Sequence, residues 1–407
     1  MFYSLNDDIY VVKGAKYSCI YDLPHNKLHK ISKRAYDLLV KVGSGCEIED
    51  VMECQFLESL VSLGILKIVT KSTKNNKSIE EVFSYKRKID FAWVELTNIC
   101  NLRCIHCYNE HVHCSKVYLS LEDFKWVVDQ LCSIGIEKIQ LIGGEPFLIN
   151  KNMLFEMMDY LSSRVKGFEL FTNGTITTEE DWKAIRERYP NVSVATSLHS
   201  YLKEEHEKVT QVKDSFNKTV NTLKTLRSLK IPHRFVGTYI AGVVIGENEK
   251  IGKPSRRDFV RLSGRANLTL YDDELLKKRL ISEKTLHSGD LRETLNSIYV
   301  ENCFSTHLYV GANMDVYPCP MERRVCHGNL RGNNIQDILK PQILEFTKNE
   351  VDGCKDCEYR YICRDCRPDS LTGNFNEKPW YCTYNPYLGV WETFEEFKNR
   401  ICKYNEK

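Results

Sequence analysis

From about Asp90 onward, short apolar runs alternate with segments of helical period. The runs Phe91–Leu96, Lys138–Ile142, Phe168–Thr172, Val192–Ser197, Arg234–Ile240 and Phe259–Leu262 read as strands. Each is long enough for a strand and too short for a buried helix. The clearest helical segment starts at Ser120, where Ser120 and Asp123 form a capping-box pair, and stops at Gly135. Trp182–Tyr189 and Ser215–Leu229 are two more. About six strand–helix repeats predict an α/β fold with a parallel sheet curved into a partial (β/α)6 TIM-like barrel. In such folds chemistry sits at the carboxyl ends of the strands.

The flanks follow other patterns. In residues 1–69, strand-like runs at Asp8–Lys13, Tyr17–Asp22 and Lys27–Ile31 precede a helix capped by Ser32 that ends near Gly43. A second helix with Ile48, Val51, Met52, Leu60 and Leu63 on one face stops at Gly64, and Ile65–Val69 adds a strand. Residues 70–89 form a polar, lysine-rich linker. Residues 90–295 are the repeating core. From 296 to 407 cysteines, glycines and aromatics dominate, as where metal rather than a large core organises the fold.

Composition narrows the function. A formal charge of +2 over 407 residues argues against nucleic acid as main partner. Met1–Asp8 is polar, and the longest near-apolar run, Phe235–Gly246, falls well short of a membrane span. These features point to the cytoplasm. Seventeen cysteines, clustered at 100–114 and 303–382, then read as metal ligands rather than disulfides. Cys19, Cys46, Cys54, Cys132 and Cys402 stand apart and read as small hydrophobes.

The chemistry centres on TNICNLRCIHCY, Thr97–Tyr108, directly after the first core strand. Its Cys100, Cys104 and Cys107 offer three thiolates where a four-iron cube needs four, leaving one iron for another ligand. A zinc site is the competing reading. The GGEP run, Gly143, Gly144, Glu145 and Pro146, follows the second strand, and glycines there allow close backbone approach to a ligand. Thr172–Gly174 (Asn173 among them), Ser197 and Arg261 stand at predicted strand ends. His111, His113 and Cys114 resemble ligands by spacing alone.

The cysteine triad followed by GGEP resembles the radical S-adenosylmethionine (SAM) enzymes. The resemblance implies that Cys100, Cys104 and Cys107 hold a 4Fe–4S cluster whose open iron binds SAM, yielding a 5′-deoxyadenosyl radical. It implies a GGEP loop at the SAM amino group, His106 near the adenine, Asn173 and Ser197 toward the ribose or carboxylate, and Arg261 on the carboxylate. His199 stands where the family often has an acid. Downstream, Cys354-x2-Cys357-x5-Cys363-x2-Cys366 and Cys382 resemble the SPASM domain, which binds two auxiliary 4Fe–4S clusters; a zinc ribbon competes. That likeness implies Cys354, Cys357, Cys363 and Cys382 around an outer cluster. Cys303, Cys319 and Cys366 would hold an inner one, left open or closed by Cys326. Two residues rather than the usual three separate Cys363 from Cys366, and Met314 replaces a usual glycine.

Residues 1–69 resemble in topology the winged-helix-like elements that capture leader peptides as an added strand. A DNA-binding winged helix is the alternative, and acids on the second helix (Glu49, Asp50, Glu53, Glu58) oppose it. Together these likenesses imply a peptide maturase with three clusters, SAM, a precursor peptide and an electron donor such as flavodoxin or ferredoxin. They imply a crosslinked product, a thioether where the inner cluster keeps three cysteines. Carbon–carbon or carbon–oxygen crosslinking, epimerisation with Cys114 as hydrogen donor, and sulfatase-type maturation stay open. So does an iron–sulfur sensor that binds DNA.

Overall fold

The computed structural model describes residues 1–71, 78–83, 88–109, 117–244, 248, 250–286, 289–300 and 303–405. His111, His113 and Cys114 lie outside them, as does half of the linker. The chain divides into two compact units, residues 1–87, 280–302 and 347–407 in one, and 88–279 and 303–346 in the other. The sequence-based boundary at 295/296 therefore does not separate the units, because 303–346 packs with the repeating core.

In the core unit, β6 (Phe91–Glu95), β7 (Lys138–Ile142), β8 (Phe168–Phe171), β9 (Val192–Ser197), β10 (His233–Tyr239) and β11 (Arg256–Phe259) pair in sequential order, all parallel. β12 (His307–Val310) joins parallel to β6 on its other edge. β13 (Asp315–Tyr317) and β14 (Gly328–Asn329) continue antiparallel. Alternation sorts the faces. Ala92, Val94, Ile139, Leu141, Leu170 and Val194 face the helices Leu121–Ser133 and Lys151–Arg164 in the main core. Trp93, Gln140, Glu169 and Ser193, which pair in register, have the opposite parity, as do Tyr309 and Glu95. The expected Ser120 cap is present, its hydroxyl accepting from the Asp123 amide. β11 ends at Phe259, three residues before the expected end, so Arg261 lies in a loop rather than at a strand end.

In the other unit, β2 (Ile9–Lys13), β3 (Ser18–Asp22) and β4 (Lys27–Ile31) form an antiparallel sheet. Helices Lys33–Gly43 and Val51–Ser62 follow, capped by Ser32 and Asp50. β5 (Leu66–Val69) pairs antiparallel with β1 (Phe2–Leu5), a strand that sequence reading passed over. Two cores divide this unit. One lies under the two helices (Tyr3, Ile20, Leu39, Leu57, Leu66). The other joins Tyr10, Val12, Cys19 and Tyr21 to Leu291, Leu295, Tyr359, Tyr361, Ile362 and Tyr384, with Cys357 and Cys382 against it. The N-terminal sheet and the C-terminal cysteine segment thus share one hydrophobic core. A hairpin of β15 (Tyr384–Asn385) and β16 (Val390–Trp391) and the helix Phe394–Asn405 complete the unit. No described helix is long and apolar enough to cross a membrane.

Candidate functional site

The cysteine loop leaves the carboxyl end of β6 and is held from three sides. On one side, the Gly144 amide donates to Thr97 O (2.7 Å) and the Glu145 amide to Ile99 O (2.7 Å). A Cβ on Gly143 would meet Thr97 O at 2.5 Å; one on Gly144 would meet Ile99 O at 2.2 Å. Glycine is thus required there so that the GGEP backbone can lie on the cysteine loop, whatever else it touches. On a second side, the Arg103 and Ile105 amides donate to Thr210 O and Val209 O at the end of the helix Lys203–Thr210. On the third, the Arg265 amide donates to Cys107 O (3.0 Å) and its Nε to Cys104 O (2.9 Å). Gly264, at φ +60°, would put a Cβ 2.3 Å from Cys107 O. Arg265 was not singled out from the sequence; only the Gly-Arg pair hinted at it.

Cys100, Cys104 and Cys107 are half-buried free thiols, and no disulfide forms among the described cysteines. Burial pushes Cys100 up to about 11 and Cys104 up to about 12; Cys107 raises both further, and Cys100 also raises Cys104. Such thiols ionise when a cation replaces the proton. Among the described residues no three His, Cys, Asp or Glu side chains converge on a point that could hold a single ion. A zinc site sets its sulfurs about 3.8 Å apart, given Zn–S of about 2.3 Å in a tetrahedron. Asn173 Nδ2 lies 3.9 Å from Cys100 Sγ and 2.9 Å from Asn101 Oδ1, so this residue borders the triad.

Glu145 is fully buried, and both its oxygens are engaged. Oε1 accepts from the Thr172 hydroxyl (2.6 Å) and the Phe147 amide (3.1 Å), Oε2 from the Asn173 amide (2.7 Å). Burial raises it to about 7 against these hydrogen bonds. Its carboxylate thus ties the GGEP loop to the loop after β8. Pro146 opens the short 3-10 turn Pro146–Leu148 behind it.

His106 begins a row of imidazoles. Its ring meets His199 edge-on at 4.7 Å, and His199 stacks on His206 at 5.5 Å. Burial holds His106 and His206 near 4 and His199 well below the usual histidine range. The His199 amide donates to His206 Nδ1 (3.3 Å), which puts the proton of a neutral His206 on Nε2. Nδ1 of His106, Nδ1 of His199 and Nε2 of His206 are buried without a hydrogen-bond partner. Ser197 ends β9, half-buried.

The sheet face opposite the main core carries groups that no motif announced. Arg234 reaches over β9 to form a two-pronged ion pair with Glu169 (2.7 and 2.7 Å), and Gln140 also donates to Glu169. The β9 residues on this face, Ser193 and Ala195, are small enough to allow the crossing. Glu95, buried, accepts from Asn109 Nδ2 (3.2 Å) and the Ala312 amide (3.0 Å). Arg323 lies over the rings of Tyr309 (4.1 Å) and Tyr317 (4.9 Å).

Of the downstream cysteines, Cys303 and Cys319 belong to the core unit, and Cys303 raises Cys319, which burial brings to about 11. Met314 sits at φ +70° and is 1% exposed, a left-handed turn residue where glycine would be unstrained. Cys326 is half-buried, its thiol donating to Val316 O and Gly328 O. Cys354, Cys357, Cys363, Cys366 and Cys382 lie in the other unit. There Cys363 and Cys382 each raise the Cys354 and Cys357 thiols, and Cys382 raises Cys363. These four behave as one group.

Residues 94–253 match the radical SAM superfamily. The subtilosin biosynthesis protein AlbA of Bacillus subtilis, named as antilisterial, is 35% identical over 33% of this chain and 30% of its own. An AdoMet-dependent heme synthase of Methanosarcina barkeri is 24% identical over 72% of this chain and 96% of its own. The solved structure of SuiB from Streptococcus suis overlays with a TM-score of 0.54 at 12% identity, covering 96% of this chain and 99% of that one. That overlay speaks to fold alone. The match to AlbA spans less than a third of that protein.

Proposed function

We propose that this chain, a member of the radical SAM superfamily, is a maturase that installs a crosslink, of thioether type, in a ribosomally made precursor peptide. The observation that carries the SAM chemistry is the backbone pairing of Gly144 and Glu145 with Thr97 and Ile99. It sets the GGEP loop against the three thiols. When bound, a 4Fe–4S cluster and SAM would supply the carbon-radical chemistry. Cys100, Cys104 and Cys107 would hold the cluster, and the Gly143–Glu145 backbone would orient SAM beside it. Glu145 does so indirectly, by bracing the Thr172–Asn173 loop. His106 would lie near the adenine and His199 stands where the family often has an acid; each has a buried ring nitrogen without a hydrogen-bond partner among the described residues.

For a peptide substrate, support comes from the likeness to AlbA and from the lobe built by β1–β5. Its paired strands β1 and β5, with Ile68 exposed on β5, would suit a leader added as a strand. Cys354, Cys357, Cys363 and Cys382 would hold an outer auxiliary cluster, Cys303, Cys319 and Cys366 an inner one. That makes three clusters in all, fed by a flavodoxin or ferredoxin in the cytoplasm. The heme-synthase match carries a second reading, a heme precursor as substrate. Anaerobic reconstitution with SAM and reductant tests the first step: 5′-deoxyadenosine is expected, and its absence would refute the enzyme assignment. Adding a neighbouring short precursor peptide or a heme precursor decides the substrate. Mass loss of two hydrogens from the peptide supports crosslinking; turnover of the heme precursor alone overturns it.

A further inference from the structure

The turn between β2 and β3 lies against the segment that carries Cys354 and Cys357. The Ala15 amide donates to Asp356 O (2.8 Å) and the Lys16 amide to Pro386 O (3.2 Å). Arg360 Nη1 donates to both Lys13 O (2.6 Å) and Cys357 O (3.0 Å). Lys30 Nζ reaches Gly389 O (3.3 Å) and sits 4.4 Å from the centre of the Tyr17 ring. Gly389 packs so closely that a Cβ on it would lie 2.3 Å from that ring. The turn, the cysteine segment and the tip of the β15–β16 hairpin thus form one surface, all within one compact unit.

That surface has an apolar centre and a basic margin. Tyr387, Leu388 and Val390 at the hairpin tip are 55%, 64% and 53% exposed. Lys13, Lys16 and Lys30 are exposed as well. No carboxylate among the described residues stands within ion-pair distance of these three lysines or of Arg360. The acids nearby are engaged or hidden. Asp356 accepts from the Tyr387 hydroxyl (2.6 Å), Asp352 pairs with Lys355 (3.2 Å), and Glu358 is buried. Glu377 and Lys378, of opposite sign, both line the polar cavity of about 410 Å³ that Tyr387 borders. An exposed aromatic and aliphatic cluster with uncompensated charge at its edge is the make-up of a transient docking site. The apolar part supplies contact, and the charge steers the approach. Positive charge selects an acidic partner. The cysteines of the contacted segment select one that handles electrons.

We propose that this face, with Tyr387, Leu388 and Val390 at its centre and Lys16, Lys30 and Arg360 at its margin, docks a small acidic one-electron carrier protein of flavodoxin type. The carrier takes electrons from the cluster held by Cys354, Cys357, Cys363 and Cys382. The inference rests on the reading of those cysteines as cluster ligands. In the step itself one electron leaves the cluster, which passes from its reduced to its oxidised state. The oxidised flavin accepts that electron with one proton from water and becomes the neutral semiquinone.

The experiment uses the full-length holoprotein, reduced anaerobically, freed of reductant and mixed in stopped flow with an oxidised acidic flavodoxin. Semiquinone absorbance is recorded, and the phase followed is the one lost in Cys357→Ser. Its second-order rate is expected to fall as salt rises. At low salt it should fall by about tenfold or more when Lys16→Glu and Lys30→Glu are combined, the scale of electrostatic steering. Leu388→Ser lowers the rate and keeps its salt dependence. Lys166→Glu, a reversal at an exposed lysine of the other unit, leaves it unchanged. Iron content and 5′-deoxyadenosine formation driven by dithionite stay at the wild-type level in all of these, which separates docking from misfolding. If the double variant fails to load clusters, Lys16→Glu alone carries the test, since Lys16 holds the hairpin through its amide. A rate that ignores both the substitutions and salt overturns the proposal. So does an unchanged rate with weaker binding of a precursor peptide, or with loss of a dimer in sedimentation; the face would then belong to a peptide or to a second copy. If no phase depends on Cys357, the ligand reading fails instead, and the proposal with it.

Discussion

The cysteine loop at 100–107 and the cysteine segment at 354–382 gather thiols by opposite means. The first is held by backbone. Amides of GGEP and of Arg265 clamp its carbonyls, its own Arg103 and Ile105 amides donate to the end of the helix Lys203–Thr210, Gly143, Gly144 and Gly264 admit the contacts, and the thiols stay half-buried. Its surroundings are mostly neutral, with Asn173 and low-pKa imidazoles nearby. The second is held by side-chain packing. Tyr359, Tyr361, Ile362 and Tyr384 share a core with the N-terminal sheet, and Cys357 and Cys382 pack against it. A clamped, half-open loop suits a cluster that must accept a ligand. A segment locked by side-chain packing, its thiols equally half-buried, would suit a cluster that only exchanges electrons.

The contrast can be broken most sharply at the loop. Cys104→Ala should abolish 5′-deoxyadenosine formation while iron and visible absorption fall by only about one cluster of three, since each cluster has its own thiolates. Loss of all iron would show that the two regions are not independent. Next comes Gly144→Ala, whose Cβ would enter the Ile99 carbonyl. We expect SAM cleavage to fall by two orders of magnitude or more, alongside a loss of roughly 1–3 kcal/mol in stability, read by denaturant unfolding.

Buried groups on each side give smaller effects. Tyr384 donates to Glu358 Oε1, and Oε2 of this carboxyl has no partner. Tyr384→Phe should cost about 1–3 kcal/mol in urea unfolding and leave SAM cleavage by the loop unchanged. Glu145 is raised in the folded state to about 7 from an ordinary value near 4.5. Its contribution is therefore complete below about pH 4.5 and is lost as pH rises through about 7. The thermal midpoint of the wild type should decline over that window more than that of Glu145→Gln. Equal slopes would show that the carboxyl does not titrate there.

Much of this was legible in the chain. Strand–helix alternation located β6 to β10 to within a residue or so, because each strand is buried on one face by a helix from its own repeat. β11 was misplaced because Arg256–Phe259 is polar and pairs only with β10, which carries the pairing signal for both. β1 was passed over because its partner β5 lies more than sixty residues away. In the site, Cys100, Cys104, Cys107 and GGEP were readable because their spacing is local. Arg265, Glu95 and the Glu169–Arg234 pair were not, since each matters through a neighbour on another strand or loop. Glu145 was expected to assist at SAM; its hydrogen bonds to Thr172 and Asn173, residues of the next strand's loop, were not legible. Met314 did carry a signal: a side chain where glycine is usual marked a left-handed turn.

The core shared by the first strands and the last cysteines sets a timetable for biosynthesis. Tyr21 donates to Glu358 O across 337 residues of chain. At about ten residues per second the ribosome needs roughly half a minute to span that gap. Until then Tyr10, Val12 and Tyr21 have no permanent cover, and the thiols beyond Cys354 do not exist. Any cluster held by the C-terminal thiols would thus be loaded after translation, while one on the loop after β6 could be loaded on a nascent chain. Chaperone dependence should fall on the N-terminal sheet, and pulse-labelled protein should acquire its first cluster before its last.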